Sequence, residues 1–412
     1  WDPVVASTKW LSELSVNRWG WTAFVRGLAF FDPVNHNFDE SHPNDIFQPS
    51  TTQRPNISER SSARRFELLD VSISGGFELP DFLGNRYLQL KAGDQVLNWG
   101  ESTFLLINSI SATNPIDAPR LRLPGFAIAE LFSPIGIVSA STSLTENVSM
   151  EVFYNYEWEA FIVDPPGTFF STVDVVGETD RPFAMLSFGK QPEDPDRLYD
   201  PANNPDDGTG LVSSASRTLL FADPITPPDS GQFGVRMNYF ADWVGDGTEF
   251  SFYFLNYHSR LPYVSAYAAN ASCIEDTTTL IAQAIADCGG AQGANGPQLA
   301  TDLLDALTTG GDVPGALMAL GGGSEGTSGR LQLADEPLPV DTVRLARQYP
   351  EDIKSFGLSF NSTLFGYAFS GEYVFRPNFP LQLDTVDLIF AALQPAFPQN
   401  NIVAVDGGGG DA

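Results

Sequence analysis

Apolar and polar residues alternate with period two along several stretches of about ten residues, longer than the five or six usual in soluble strands. Between Arg18 and Phe31, one face carries Trp19, Trp21, Ala23, Val25, Ala29 and Phe31, and the other Arg18, Thr22 and Arg26. Leu69, Val71, Ile73 and Phe77 then oppose Asp70, Ser72 and Ser74; Leu88, Leu90 and Ala92 oppose Gln89, Lys91 and Gln95. The clearest unit is a hairpin from Ile135 to Trp158. Its first strand sets Val138, Ala140, Thr142 and Leu144 against Ser139, Ser141 and Ser143, and a polar turn follows at 145–147. The return strand sets Val148, Met150, Val152, Tyr154, Tyr156 and Trp158 against Ser149, Glu151, Asn155, Glu157 and Glu159. Three aromatics end that apolar face, as in an interfacial girdle. Further on, Phe233, Val235, Met237 and Tyr239 oppose Gln232, Arg236 and Asn238, and a turn near Trp243 leads into Phe250–Arg260. Phe356, Leu358 and Phe360 oppose Ser355, Ser359 and Asn361; Tyr367, Phe369, Tyr373 and Phe375 oppose Ser370, Glu372 and Arg376. The pattern predicts about nine or ten strands joined alternately by short turns and long polar loops.

Two all-β folds produce such alternation. A soluble sandwich turns its apolar faces into a shared core. A transmembrane barrel turns them to lipid, and about ten tilted residues match the hydrocarbon thickness a strand must cross. Strand length, aromatic strand ends and long loops on one side favour an antiparallel outer-membrane β-barrel. Residues 1–412 then form a single barrel, incomplete and truncated at both ends.

Three stretches break the alternation. Glu101–Pro134 is too apolar for an external loop and too interrupted by proline for a strand, so in a barrel it enters the lumen as a constriction or plug. Asp164–Asp229 reads as long loops with one short strand near Phe183–Lys190. Residues 271–341 alone show helical spacing, over Thr277–Asp287, Gln298–Thr308 and Val313–Leu320, and predict a small helical insertion. Cys273 and Cys288 flank the first of these helices. Across a straight helix they would stand about 22 Å apart, against the ~7 Å a disulfide allows. A bond therefore requires the chain to fold back, which Gly289-Gly290 permits; we expect it in an oxidising envelope compartment, with two free thiols as the alternative.

Composition sharpens this reading. The chain holds 22 Lys+Arg against 51 Asp+Glu, a net charge of −29, with 12 % aromatic and only 18 % charged residues. Soluble domains carry about a quarter charged residues. So acidic a chain repels phosphate backbones, which excludes a nucleic-acid partner. The negative charge falls mainly in loops and the aromatics on strand faces, as a membrane barrel requires.

Several runs in order resemble an outer-membrane barrel family of Gram-negative proteobacteria, the domain of unknown function 1302. They are Lys91-Ala-Gly-Asp-Gln-Val-Leu-Asn-Trp-Gly-Glu-Ser102, Asn114-Pro-Ile-Asp117, Arg122-Leu-Pro-Gly125, Asn155-Tyr-Glu-Trp158, Asn256-Tyr-His-Ser-Arg-Leu-Pro262, Tyr349-Pro-Glu-Asp-Ile353 and Gly371-Glu-Tyr-Val-Phe-Arg-Pro377. The resemblance implies an outer-membrane location and no assigned enzymatic activity. It also implies work beside a LolA/LolB-like periplasmic lipid carrier and an RND-type exporter, hence traffic of lipids or other hydrophobic small molecules. Family members continue with more strands than this chain.

Candidate chemistry is thin. Trp99-Gly-Glu101 with Arg120 and Arg122 either gates a solute or pins the lumen segment by ion pairs. Phe252, Phe254, Asn256, His258 and Arg260 read as one strand face: aromatics for an apolar solute, then His and Arg for a polar head, or else a hydrogen-bonded strand end. Glu157 and Glu159 share a face and either form a site or line water. His36 and His42 lie in a polar loop, where solvation competes with a metal site. The acidic runs at 193–196 and 200–207 lack the EF-hand order and read as solvated loops. No cofactor motif stands out: Gly321–Gly326 lacks the Lys-Ser/Thr of a phosphate loop. No GxSxG elbow is present, so an outer-membrane hydrolase is a minor alternative to a conduit for hydrophobic or amphipathic molecules. A surface binding or structural protein anchored by its barrel is the other.

Overall fold

The computed structural model describes residues 5–36, 63–80, 86–101, 113–123, 130–165, 219–271 and 342–395, with short pieces between them. Ten of the strands form one antiparallel sheet in chain order. They are β1 (Thr8–Arg18), β2 (Trp21–Phe31), β3 (Arg64–Glu78), β4 (Tyr87–Gln95) and β5 (Ile135–Ser143), then β6 (Val148–Asn155), β7 (Gln232–Ala241), β8 (Thr248–Tyr257), β9 (Ile353–Leu364) and β10 (Tyr367–Phe375). Every tight connection lies at one end of the sheet, at 19–20, 79–86, 144–147, 242–247 and 365–366, and every long one at the other. Among the described residues β1 and β10 do not pair with each other, so the sheet is open rather than a closed barrel.

The alternation read from the sequence places the faces. Trp10 (72 % exposed), Leu14 and Val16 of β1 stand on the same side as Phe66 (80 % exposed), Leu68, Val71 and Ile73 of β3. Phe233 and Met237 of β7, Phe252 of β8, Leu358 of β9 and Tyr373 of β10 continue that side. Soluble monomers rarely expose contiguous apolar patches of more than a few hundred Å². The other side carries Lys9, Glu67, Ser72, Glu151, Arg236, Ser251, Ser359 and Glu372, and it is the covered one. The described residues of segment 97–134, between β4 and β5, lie on that polar face. A flat ten-stranded sheet would be about 43 Å wide. Yet both edge strands reach the segment, Lys9 of β1 at Glu130 and Glu372 of β10 at Ile110, so the polar face is concave.

Several local readings change. β1 is an additional strand, and Trp19 sits with Gly20 in a two-residue turn, at φ 54° and 78°. Phe365-Gly366 repeats this turn between β9 and β10, also at φ 54° and 78°. Both residues need positive φ in such a primed turn, which glycine adopts freely and an aromatic residue does not. A β-bulge between Val25 and Gly27 shifts the register against β3. Leu69 therefore turns inward to pack with Leu28, Phe30 and Leu123, while Asp70 meets Arg26. β6 ends at Asn155, so Glu157, Trp158 and Glu159 leave the strand face on which the alternation had placed them.

The long connections build a second layer. Strands 263–267, 344–348, 218–221 and 183–185 form a small mixed sheet in that order. Helix α1 (Thr385–Leu393) packs on it, burying Ala392 and Leu393 with Leu219, Val264 and Leu345. Asp384 caps the helix by accepting from the Val386 and Asp387 backbone N–H groups, the expected N-cap geometry. No described helix is long and apolar enough to cross a membrane. The expected insertion at 271–341 and both cysteines lie outside the described residues.

Candidate functional site

The concave face holds segment 97–134 by three sets of contacts. The first is a core: Leu97, Trp99 and Ile110 pack with Ile135 and Ile137 of β5, Phe153 of β6, Tyr253 and Leu255 of β8 and Ile353 of β9. The Trp99 ring meets Phe153 edge-on at 4.9 Å, and its Nε1 donates to Glu151 Oε2 at 3.1 Å. That bond lets the indole lie buried with its one polar atom satisfied. The adjacent Glu101 and Ile110 backbone N–H groups both donate to the Glu372 carboxylate, each at 2.8 Å. The Glu101 side chain accepts from Asn361 at 3.2 Å. Asn114 closes the base of the segment, accepting from the Leu97 N–H and donating to the Gln95 and Ser133 carbonyls.

The second set is ionic. Asp117 is fully buried, with Arg65 Nη1 at 2.5 Å and Arg120 Nε at 3.3 Å. Glu67 bridges the same two guanidiniums, at 2.7 Å from Arg65 and 3.0 Å from Arg120. Lys9 binds Glu130 at 2.8 Å and donates to the Gly125 carbonyl at 2.9 Å. Arg120 Nη1 joins the halves by donating to the Glu130 carbonyl at 3.2 Å. Three cations thus balance three carboxylates, which is what allows charges to stay buried. Arg122 points elsewhere: it is partly exposed, pairs with Asp164 at 3.1 Å and stacks on Phe170.

The third set surrounds Arg260, beyond the end of β8. Its guanidinium donates to the carbonyls of Glu159 at 3.0 Å and Thr113 at 2.9 Å, and to Gln232 Oε1 at 3.0 Å. Burial pushes it down to about 9 against the pull of Glu159, Glu157 and Asp229. It is therefore still charged at neutral pH. Burial first, and Glu157 second, push the Glu159 carboxyl up. His258 is also buried; the Asp352 N–H donates to its Nδ1 at 3.1 Å, so its Nε2 carries the proton and donates to the Ser230 carbonyl at 2.9 Å. With both ring nitrogens engaged by backbone, this histidine ties together the loops that carry Ser230 and Asp352.

The five residues read as one face from Phe252 to Arg260 separate in space. Phe252 and Phe254 stand on the apolar convex face, Phe254 between Phe233 and Phe356. Asn256 shares their parity but bonds the Gly231 carbonyl and Asp352. The strand stops at Tyr257, so strand parity no longer orients His258 and Arg260, which turn into the loop layer. The structure instead joins Arg260 to the segment between β4 and β5 through Thr113. Sequence reasoning missed Lys9, Arg65, Glu67, Asp117, Glu130 and Glu372. For Lys9, Arg65, Glu67 and Glu372 the signal was charge on the polar face of apolar strands, where each ion needs a partner; Asp117 and Glu130 carried no such periodic signal. No group of three or more metal-ligating side chains occurs among the described residues.

Compared with known proteins, the chain matches one family model, "Protein of unknown function (DUF1302)", over residues 1–408. No curated protein and no solved structure matches it. With that match running almost end to end, the chain belongs to the DUF1302 family.

Proposed function

We propose that the chain forms the wall and gate of a conduit for lipids or other amphipathic molecules in the outer membrane of a Gram-negative bacterium. One observation carries the reading: a ten-stranded meander apolar on its exposed side and polar on its covered side, with every tight turn at one end. Water does not stabilise such an exposed face, whereas lipid does. In outer-membrane barrels the tight turns face the periplasm and the long loops the exterior. This orientation turns the hydroxyl-rich half of the concave face, with Ser141, Ser149, Ser251 and Ser359, towards a periplasmic carrier and exporter. Segment 97–134 is the gate, held by the balanced charges around Asp117 and by the Glu372 clasp.

The test combines location with passage. The protein should fractionate with outer membrane and show heat-modifiable gel mobility. Removing residues 102–109 should change entry of a lipophilic fluorescent probe severalfold. Unchanged entry would rule out a gate. One observation favours a second reading: the small sheet and α1 form a separately cored layer at the long-loop end. In that reading the barrel anchors a surface binding layer, and the same deletion leaves probe entry unaltered.

A further inference from the structure

Three of the tight turns carry an aromatic ring at the tip: Trp19 is 84 % exposed, Trp243 75 % and Phe365 95 %. Trp19 and Phe365 each hold the first position of a primed turn at φ 54°. Asparagine and glycine suit that position, whereas a bulky ring is strained in it. Strain of this kind persists where surrounding contacts offset it. Yet a Cβ added at Gly20 or Gly366 would meet nothing within 4 Å, so no described residue roofs either turn. The Arg18 guanidinium lies 4.2 Å over one face of the Trp19 ring and still leaves it open. What favours a ring at these tips therefore lies outside the described chain.

The rings belong to the convex side of the rim. Arg18 ends the convex face of β1, in step with Leu14 and Val16, and holds Trp19 beside it. The Trp243 N–H donates to the Tyr239 hydroxyl at 3.5 Å, and Tyr239 shares its strand face with Phe233 and Met237. Phe365-Gly366 leads straight into Tyr367, on the apolar face of β10. The turns at 19–20 and 242–247 are six strand spacings apart, about 29 Å along a sheet that curls between them. A compact protein partner would have to straddle the concave face to touch both, whereas lipid head groups surround the whole rim. Tryptophan beside arginine suits that layer: indole rings prefer the boundary of hydrocarbon and water, and a guanidinium reaches phosphate from there. We infer that Trp19, Trp243 and Phe365 anchor the tight-turn rim in the head-group layer of the bilayer. The inference rests on the membrane reading above and adds the contact that fixes the depth of the rim.

Asparagine substitution gives the test its sign. Trp19→Asn and Phe365→Asn relieve the turn strain and, with no outside contact to lose, should raise stability. In phosphatidylcholine vesicles the anchor predicts the opposite: each variant of the full chain should lower the urea midpoint by roughly 0.3 M. Depth is read by fluorescence. Bromine just below the head group should quench the emission that separates wild type from Trp19→Asn, and the emission that Phe365→Trp adds, about twofold more than bromine at the chain ends. An unchanged or higher midpoint for either asparagine variant overturns the anchor. So does emission quenched by aqueous acrylamide and not by brominated lipid, which would assign the rings to a protein partner in the water. Flotation of the wild type with the same vesicles is scored separately: failure to float defeats the membrane reading itself, whereas flotation with aqueous quenching alone defeats only this inference.

Discussion

Around Asp117, three cations meet three carboxylates; around Arg260, one guanidinium meets backbone carbonyls and an amide. Both sites hold the same segment against the same sheet. The first depends on mutual charge, so losing any member strands its partners in a buried place. The second depends on neutral dipoles that the turns leave pointing inward, so its loss frees acceptors rather than ions. Glu372 mirrors the second device with reversed sign, a carboxylate on two backbone N–H groups. Charge balance thus makes an anchor strong but brittle; dipoles make it weaker and more tolerant.

The largest effect should come from Asp117→Asn, which leaves Arg65 and Arg120 with Glu67 as their remaining carboxylate. Breaking a buried ion pair this way costs about 3–5 kcal/mol, readable from urea unfolding in micelles. A loss under about 1 kcal/mol would show the cluster to be solvated. Arg260→Leu should cost less, about 2 kcal/mol, because the lost charged hydrogen bonds are offset by relief of guanidinium burial. If it exceeds Asp117→Asn, the contrast between the anchors is inverted. Glu372→Gln keeps one acceptor oxygen and should cost about 1 kcal/mol. Hydrogen exchange should then quicken at the Glu101 and Ile110 amides while the Leu97 amide, bound to Asn114, stays protected.

The smallest effect is a pH slope. Burial, then Glu157, raises the Glu159 carboxyl above its ordinary 4.5, so the folded chain holds that proton more tightly than the unfolded one. Its contribution is full below the ordinary value and is lost as pH rises through the raised one. Glu159→Gln should flatten stability across that window by less than about 1 kcal/mol, since solvent reaches the side chain and screens it. An unchanged slope in urea midpoints would remove Glu159 as its source.

How much of this was legible depends on distance along the chain. The β5–β6 hairpin follows from alternation between residues two apart, as does the exposure of Phe356, Leu358 and Tyr373. β1 was hidden because Ser12 interrupts its apolar face, Leu11 interrupts its polar face, and its turn uses Trp19-Gly20 in place of an Asn-Gly pair. Leu69 was assigned outward because a bulge adds a residue, and period-two reading has no way to register the slip. α1 carried a visible capping signal in Asp384-Thr-Val-Asp387, but its nine residues made a short pattern. The candidate site was partly legible: Trp99, Glu101 and Arg120 do contact the polar face of the sheet, whereas grouping Phe252 and Phe254 with Arg260 extended a strand past its end.

Sequence alone determined most strands of the meander, which of their sides is apolar, the rhythm of short and long connections, and the family. Those properties arise from neighbours two residues apart, and the pleat converts them directly into faces. Tertiary structure decided which charges meet. Lys9 finds Glu130, and the Glu372 carboxylate finds the Glu101 backbone N–H, across more than a hundred positions, because curvature brings both edges of the sheet to one segment.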